Sequence, residues 1–116
     1  MKNRRKFLRL EVNDFLDISP VDKGAKPIKG KVFNMTLMGI CFSSDIEWEK
    51  GQHLQIEYFM AESCDSVKMK IAVVWSEHIS DREGILTGAE IIDIEPEKEL
   101  KFVNFYFRKL KEKYFD

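Results

Sequence analysis

Apolar and polar residues alternate with a period of two along most of this chain, and the period lengthens to about 3.6 only near its end. The clearest alternation is Val67, Met69, Ile71, Val73 and Trp75, which predicts one long strand with these residues on the core side. His53 to Phe59 alternates in the same way after the turn Glu49-Lys50-Gly51-Gln52. Nearer the start, Leu10, Val12, Phe15, Leu16 and Ile18 form a rougher strand that is broken near Asn13-Asp14. Ser19 to Lys26, with Pro20 and Gly24, reads as a turn before a strand over Ile28 to Phe33. Asn34 to Met38 connects that strand to another, opened by Gly39 and continued by Ile40, Cys41 and Phe42. Residues 61–66 read as a loop, Ser80 to Gly84 as a hairpin loop, and Ile85 to Ile92 as a last strand. Six short strands separated by turns predict a small closed barrel or a sandwich.

From Pro96 the pattern is helical. Proline suits a first helical turn, and Glu95, Glu97 and Glu99 complement the positive end of the helix dipole. Leu100, Val103, Phe107, Leu110 and Tyr114 recur at steps of three and four, and Arg108, Lys109, Lys111 and Lys113 crowd the closing turns. The spacing predicts a helix from Pro96 to about Tyr114 whose apolar stripe packs on the barrel. Phe102 and Phe105 fall off this stripe. They are read as filling a wide barrel mouth, with an exposed aromatic patch as the alternative. The chain thus divides into a basic arm over 1–9, a barrel over 10–95 and a helix over 96–116.

The length of 116 residues suits a single domain, and 44% hydrophobic content is ordinary for a globular protein. Net charge is −1, yet Lys2, Arg4, Arg5, Lys6 and Arg9 precede the first carboxylate, Glu11. A basic segment on a neutral body points to a small anionic ligand rather than to long duplex DNA. Neutrality also argues against a barrel for single-stranded nucleic acid, so no DNA or RNA partner is expected. Cys41 and Cys64 are too few and too separated for a disulfide framework or a C-x-x-C site, and Cys41 reads as a buried, reduced thiol. No unbroken apolar stretch of signal or membrane-spanning length follows the basic start, so a soluble, cytoplasmic protein is expected. His53 and His78 share no metal-ligand spacing, Trp75 reads as core, and no catalytic constellation is visible. Neither enzyme activity, nor a metal, nor a cofactor is expected.

Two polar signatures carry the chemistry. Arg5-Lys6-Phe7-Leu8-Arg9 is an R-x-x-x-R spacing, and Asn34-Met35-Thr36-Leu37-Met38-Gly39 is an N-x-T-x-x-G turn. In an extended segment, residues four apart point the same way, so Arg5 and Arg9 are able to grip one ligand from one side. Asn34 and Thr36, two apart, would likewise share a face if the strand continued through them. An amide both accepts and donates, and so does a hydroxyl. Gly39 permits a positive φ or a close backbone approach.

In this order the signatures resemble the PilZ family, whose pattern is R-x-x-x-R followed by D/N-x-S-x-x-G. Val73-Val74-Trp75 and Thr87-Gly88-Ala89-Glu90-Ile91 are similar to the family's later strands. The resemblance implies a mainly β fold, a six-stranded antiparallel barrel with a C-terminal amphipathic helix. It implies a receptor for the bacterial second messenger cyclic di-GMP, with Arg4, Arg5, Arg9, Asn34, Thr36 and Gly39 as ligand-binding residues. Guanidinium forks suit both the phosphates and guanine O6 and N7, while Asn34 and Thr36 would read the guanine edge. An arginine directly before the motif, here Arg4, is associated in the family with a stacked ligand pair. Thr36 replaces the usual serine, which keeps the hydroxyl and adds a methyl that would stand against a guanine. The function implied is a sensor that orders its arm on ligand binding and signals to a downstream protein partner. The alternative is an interaction module of the same fold that binds no nucleotide.

Overall fold

The alternating segments pair as antiparallel neighbours, because each buries one row of side chains and leaves the other in water. A computed structural model of the chain describes residues 8–20, 26–81 and 84–114. The strands are β1 Leu10–Glu11, β2 Phe15–Pro20, β3 Ile28–Met35, β4 Gly39–Ser44, β5 His53–Met60, β6 Asp65–Ser80 and β7 Gly84–Ile94. One turn of 3-10 helix at Pro96–Lys98 leads into α1, Glu99–Tyr114.

The hydrogen-bonded order β3-β2-β5-β6-β7-β4 returns to β3 through the β3–β4 pairing, which closes a six-stranded antiparallel barrel. Closure removes the exposed edges that an open sheet would present. The two-residue β1 is added outside β3, with Leu10 opposite Met35 and Glu11 opposite Asn34.

The first predicted strand is therefore split, and Asp14 is the reason. Its carboxylate is only 7% exposed and accepts the Tyr58 hydroxyl at 2.6 Å. Its carbonyl accepts from Val32 N at 2.8 Å, and Val12 N donates to Phe33 O at 3.0 Å. A buried carboxylate needs such a partner, and the strand pairing is interrupted at residues 12–14 where Asp14 takes it.

Leu16, Ile18, Val32, Phe42, Leu54, Ile56, Val67 and Ile71 fill the barrel. One mouth is stoppered by α1. Phe102, Phe105 and Tyr106 are buried there, and Tyr58 meets Phe102 and Phe105 edge-on at centroid distances of 5.9 and 6.1 Å. Phe102 and Phe105 fill the mouth as expected, while the expected packing stripe is corrected: Leu110 packs in part on the core, but Leu100, Phe107 and Tyr114 are largely exposed. Two apolar stripes compete on the helix, and the one with three aromatics at steps of three and four wins. Each aromatic ring removes roughly 150–250 Å² from water, more than the aliphatic residues of the other stripe.

Ion pairs hold the helix in place from the β5–β6 connection and the first residue of β6. Asp65 Oδ1 accepts from Lys98 Nζ at 2.5 Å and Oδ2 from Lys101 Nζ at 2.8 Å, and Glu62 pairs with Lys109. The Tyr106 hydroxyl donates to the carbonyl of Leu8, at the root of the basic arm.

Candidate functional site

The β3–β4 connection is a tight turn built by Thr36. Its N–H donates to Gly39 O at 2.9 Å, while its Oγ1 accepts from Met38 N at 2.9 Å and Gly39 N at 3.1 Å. Both lone pairs of the hydroxyl are thus engaged, and its proton is left to donate. Thr36 lies beyond the end of β3, so it does not continue the strand alternation from Asn34 as expected. Gly39 does not use a positive φ; among described glycines only Gly51 and Gly84 do. It serves close approach instead, since a Cβ there would stand 3.1 Å from the Ala89 carbonyl oxygen.

Asn34 reaches the outer surface through a β-bulge. The register of β3 on β4 shifts between Val32 and Asn34, so Val32 is buried while Phe33 and Asn34 both turn outward. A second bulge in β6, between Val73 and Trp75, does the same for the indole. Val73 is 2% exposed, whereas Val74 and Trp75 are 40% and 41% exposed. Each bulge inserts one residue and reverses the in–out sequence beyond it. The placement of Trp75 in the core, expected from simple alternation, is corrected by this shift.

The bulges align one cross-strand row on the barrel exterior. Glu11 pairs with Asn34, Asn34 with Cys41, Cys41 with Gly88, and Gly88 with Trp75. From β3 to β6 the row spans three strand spacings, roughly 14 Å. Cys41 is half-buried on this outward row and not in the core, a second correction. Gly88 lies beneath the indole, because a Cβ there would be 2.4 Å from Trp75 Nε1.

Arg9, just before β1, lies beside this row rather than in it. With Leu10 opposite Met35, the preceding Arg9 emerges beside Thr36 and is exposed. Burial pushes the Cys41 thiol up from its ordinary value, and the Arg9 guanidinium opposes that rise. The cation therefore acts on the residue paired with Asn34. Arg4 and Arg5 lie outside the described residues.

Arg9, Thr36, Asn34, Cys41 and Trp75 are thus brought to one outer face. The surface offers a planar cation, an amide, a hydroxyl proton and an aromatic plate, with the exposed Glu11 carboxylate beside Asn34. It is open rather than enclosed, which suits an anionic, flat-ringed ligand held by forks and stacking. The Trp75 end opens on a shallow depression of about 710 Å³ lined by Glu47, Trp48, Glu49, Lys50, Val74, Trp75 and Ser76, none of them a motif residue. A separate groove of about 460 Å³ lies on the outer face of β2, β5 and the first part of β6. Asp17, Glu57, Asp93 and Glu95 there outnumber Lys68 and Lys70, which disfavours an anionic ligand, and none of the motif residues lines it. The motif surface is therefore the stronger candidate.

Sequence reasoning missed Trp75 and Cys41 as surface groups. One signal was present. Val73-Val74 and Val32-Phe33 are consecutive apolar pairs within alternating strands, and each marks a bulge.

Comparison with known proteins agrees with this architecture. The sequence model of the PilZ domain matches residues 3–108. No curated protein sequence matches the chain. Among solved structures, the Bacillus subtilis inhibitor of motility (MotI/DgrA) superposes with a TM-score of 0.78 at 15% identity, over 97% of this chain. The present chain spans about half of that protein, 54% of its length. The PilZ domain of YcgR from Escherichia coli, solved with c-di-GMP, superposes with a TM-score of 0.69 at 15% identity. That match covers 96% of this chain and 97% of the other. At such identity the likeness is one of fold.

Proposed function

Since this chain belongs to the PilZ domain family, we propose that it is a cyclic di-GMP-binding adaptor whose ligand lies along the Arg9–Asn34–Trp75 face. The observation that carries this reading is the shared face itself. A cation and an amide from the two signature motifs meet there, together with an exposed indole. The similar Escherichia coli domain, solved with c-di-GMP, supports the choice of ligand.

In this reading Arg5 and Arg9 clamp the phosphates and guanine faces, with Arg4 as a third cation. Asn34 reads the guanine edge, and the Thr36 hydroxyl proton, free of the turn's own hydrogen bonds, donates to the ligand. Gly39 keeps the turn against the Ala89 carbonyl and so sets the position of that hydroxyl. Trp75 supplies a stacking plate for one base.

Ligand binding would order the basic arm, and the Tyr106 hydrogen bond to Leu8 passes that ordering to α1. A downstream protein would read the altered arm and helix. The module acts by binding, not by catalysis, and no DNA or RNA partner is proposed.

Isothermal calorimetry with cyclic di-GMP tests this. The wild type should bind, and Arg9→Ala or Asn34→Ala should each weaken binding by about 1–3 kcal/mol. Absence of heat for the wild type at high micromolar ligand would overturn the nucleotide reading. Partner capture unaffected by nucleotide would then favour an interaction module of the same fold.

A further inference from the structure

Helix α1 carries a second apolar face that the barrel leaves uncovered. Leu100, Phe107 and Tyr114 are 70%, 47% and 52% exposed, with Val103 and Leu110 half-buried beside them. These five residues alternate steps of three and four over two heptads, which is the seam of a left-handed helix pair. Leu100, Phe107 and Tyr114 lie on the side away from Phe102, Phe105 and Tyr106, which plug the barrel.

We propose that this seam pairs with the same seam of a second copy of the chain, the two helices antiparallel about a two-fold axis near Phe107. Charge chooses both the partner and the direction. Glu97 and Glu99 sit at the start of the helical segment, where Lys98 and Lys101 are already paired with Asp65, and Arg108, Lys111 and Lys113 sit in its closing turns, where Glu112 is beside Lys109. A helix acidic at one end and basic at the other is complementary to its own reversed copy, as an isologous two-fold contact requires. Parallel pairing would stack Glu99 near Glu99 and lysine near lysine. Antiparallel pairing also opposes the two helix dipoles favourably.

Heptad position sharpens the match. Glu99 and Lys113 are each seven residues from Tyr106 and both exposed, on the flank of the seam that borders the barrel, so an antiparallel copy brings each Glu99 to the other's Lys113. Glu99 forms no ion pair among the described residues, and Lys113 has only a 3.8 Å contact to the exposed Glu11. Both charges are thus available to a second copy. The sixteen-residue helix is about 24 Å long. Its exposed apolar side chains put the contact at the small end of specific interfaces, below about 1,200 Å². The dimer is accordingly weak and concentration-dependent.

This inference is independent of the nucleotide reading, and its test contains no nucleotide. Sedimentation velocity of the full chain, from about one to several hundred micromolar, should show a monomer–dimer equilibrium. Phe107→Glu should leave only monomer while keeping the wild-type circular dichroism spectrum, because position 107 is half-exposed and meets the plug only at the edge of the Tyr106 ring. Glu99→Lys and Lys113→Glu should each weaken the dimer at least several-fold, and the double variant should restore it. A wild type that stays monomeric throughout, or a dimer that survives Phe107→Glu, would overturn the seam. Failure of the double variant to recover would overturn the antiparallel arrangement.

Discussion

The indole of Trp75 lies so close over Gly88 that a Cβ at position 88 would stand 2.4 Å from Nε1 and 2.5 Å from Cε2. Glycine is what lets the ring lie flat against β7 next to Cys41. Gly88→Ala must therefore displace the ring or the strand. Overpacking of this kind costs about 1–3 kcal/mol. A lowered Tm and a shifted tryptophan emission are expected. If both stay at wild-type values, the indole is not seated on Gly88.

Trp75 is the exposed tryptophan, whereas Trp48 is 6% exposed and donates its Nε1–H to Ser44 Oγ. Quenching of fluorescence by cyclic di-GMP should therefore come from Trp75. Trp75→Leu should abolish the quench and weaken binding by about 1–3 kcal/mol, the range for one stacked base. Unchanged affinity in a calorimetric titration would remove Trp75 from the site.

The Asp14–Tyr58 hydrogen bond sits where the first strand breaks and where the helix caps the barrel. Burial, and then the Asp14 carboxylate, push the Tyr58 hydroxyl well above its ordinary value, so it remains a donor at all ordinary pH. Tyr58→Phe keeps the ring contacts with Phe102 and Phe105 but leaves the carboxylate without that donor. Loss of a hydrogen bond to a charged group should cost about 1.5–3 kcal/mol, read from the midpoint of urea unfolding. A variant as stable as wild type would mean that water replaces the hydroxyl.

Asp65 anchors the start of α1. Hydrogen bonds from Lys101, Lys98 and the Ser66 backbone hold its carboxyl well below the ordinary value of 3.8. A depressed carboxyl stabilises the fold above its unfolded-state value, and that stabilisation is lost as pH falls through the folded-state value. Asp65→Asn should therefore melt below wild type at neutral pH. The gap should persist to about pH 5 and close progressively below 3.8. Melting curves across this range check it, and a gap independent of pH would contradict the ionic origin.

Tyr106→Phe removes the hydroxyl that donates to the Leu8 carbonyl. A neutral hydrogen bond of this kind contributes about 0.5–1.5 kcal/mol. Amide exchange around Leu10 and Glu11 should quicken, and cyclic di-GMP should bind a few-fold more weakly because the arm's root is less pre-organised. If exchange there is unaffected, arm and helix are not coupled through this bond.

Much of this molecule is legible in its residue pattern. The alternation of Val67, Met69, Ile71 and Val73 marks β6, and all four are buried. Proline at 96 and the 3.6-residue period beyond it mark the helix that follows. The Asn34–Gly39 turn is readable as a turn, because Thr36 Oγ1 bonds amides only two and three residues away. These features depend on neighbours in the chain, so the chain displays them.

Period, turn chemistry and the basic character of the first ten residues are properties of short windows, and the amino-acid order determines them unaided. Which way Asn34 and Trp75 point, and which stripe of α1 meets the barrel, are different in kind. The bulges at Val32/Asn34 and Val73/Trp75 exist to reconcile strand registers around a closed barrel. The choice of Phe102, Phe105 and Tyr106 over Leu100 and Phe107 was made by the shape of the mouth around Tyr58. Both are settled by contacts between residues far apart in the chain, whose energies no local pattern contains.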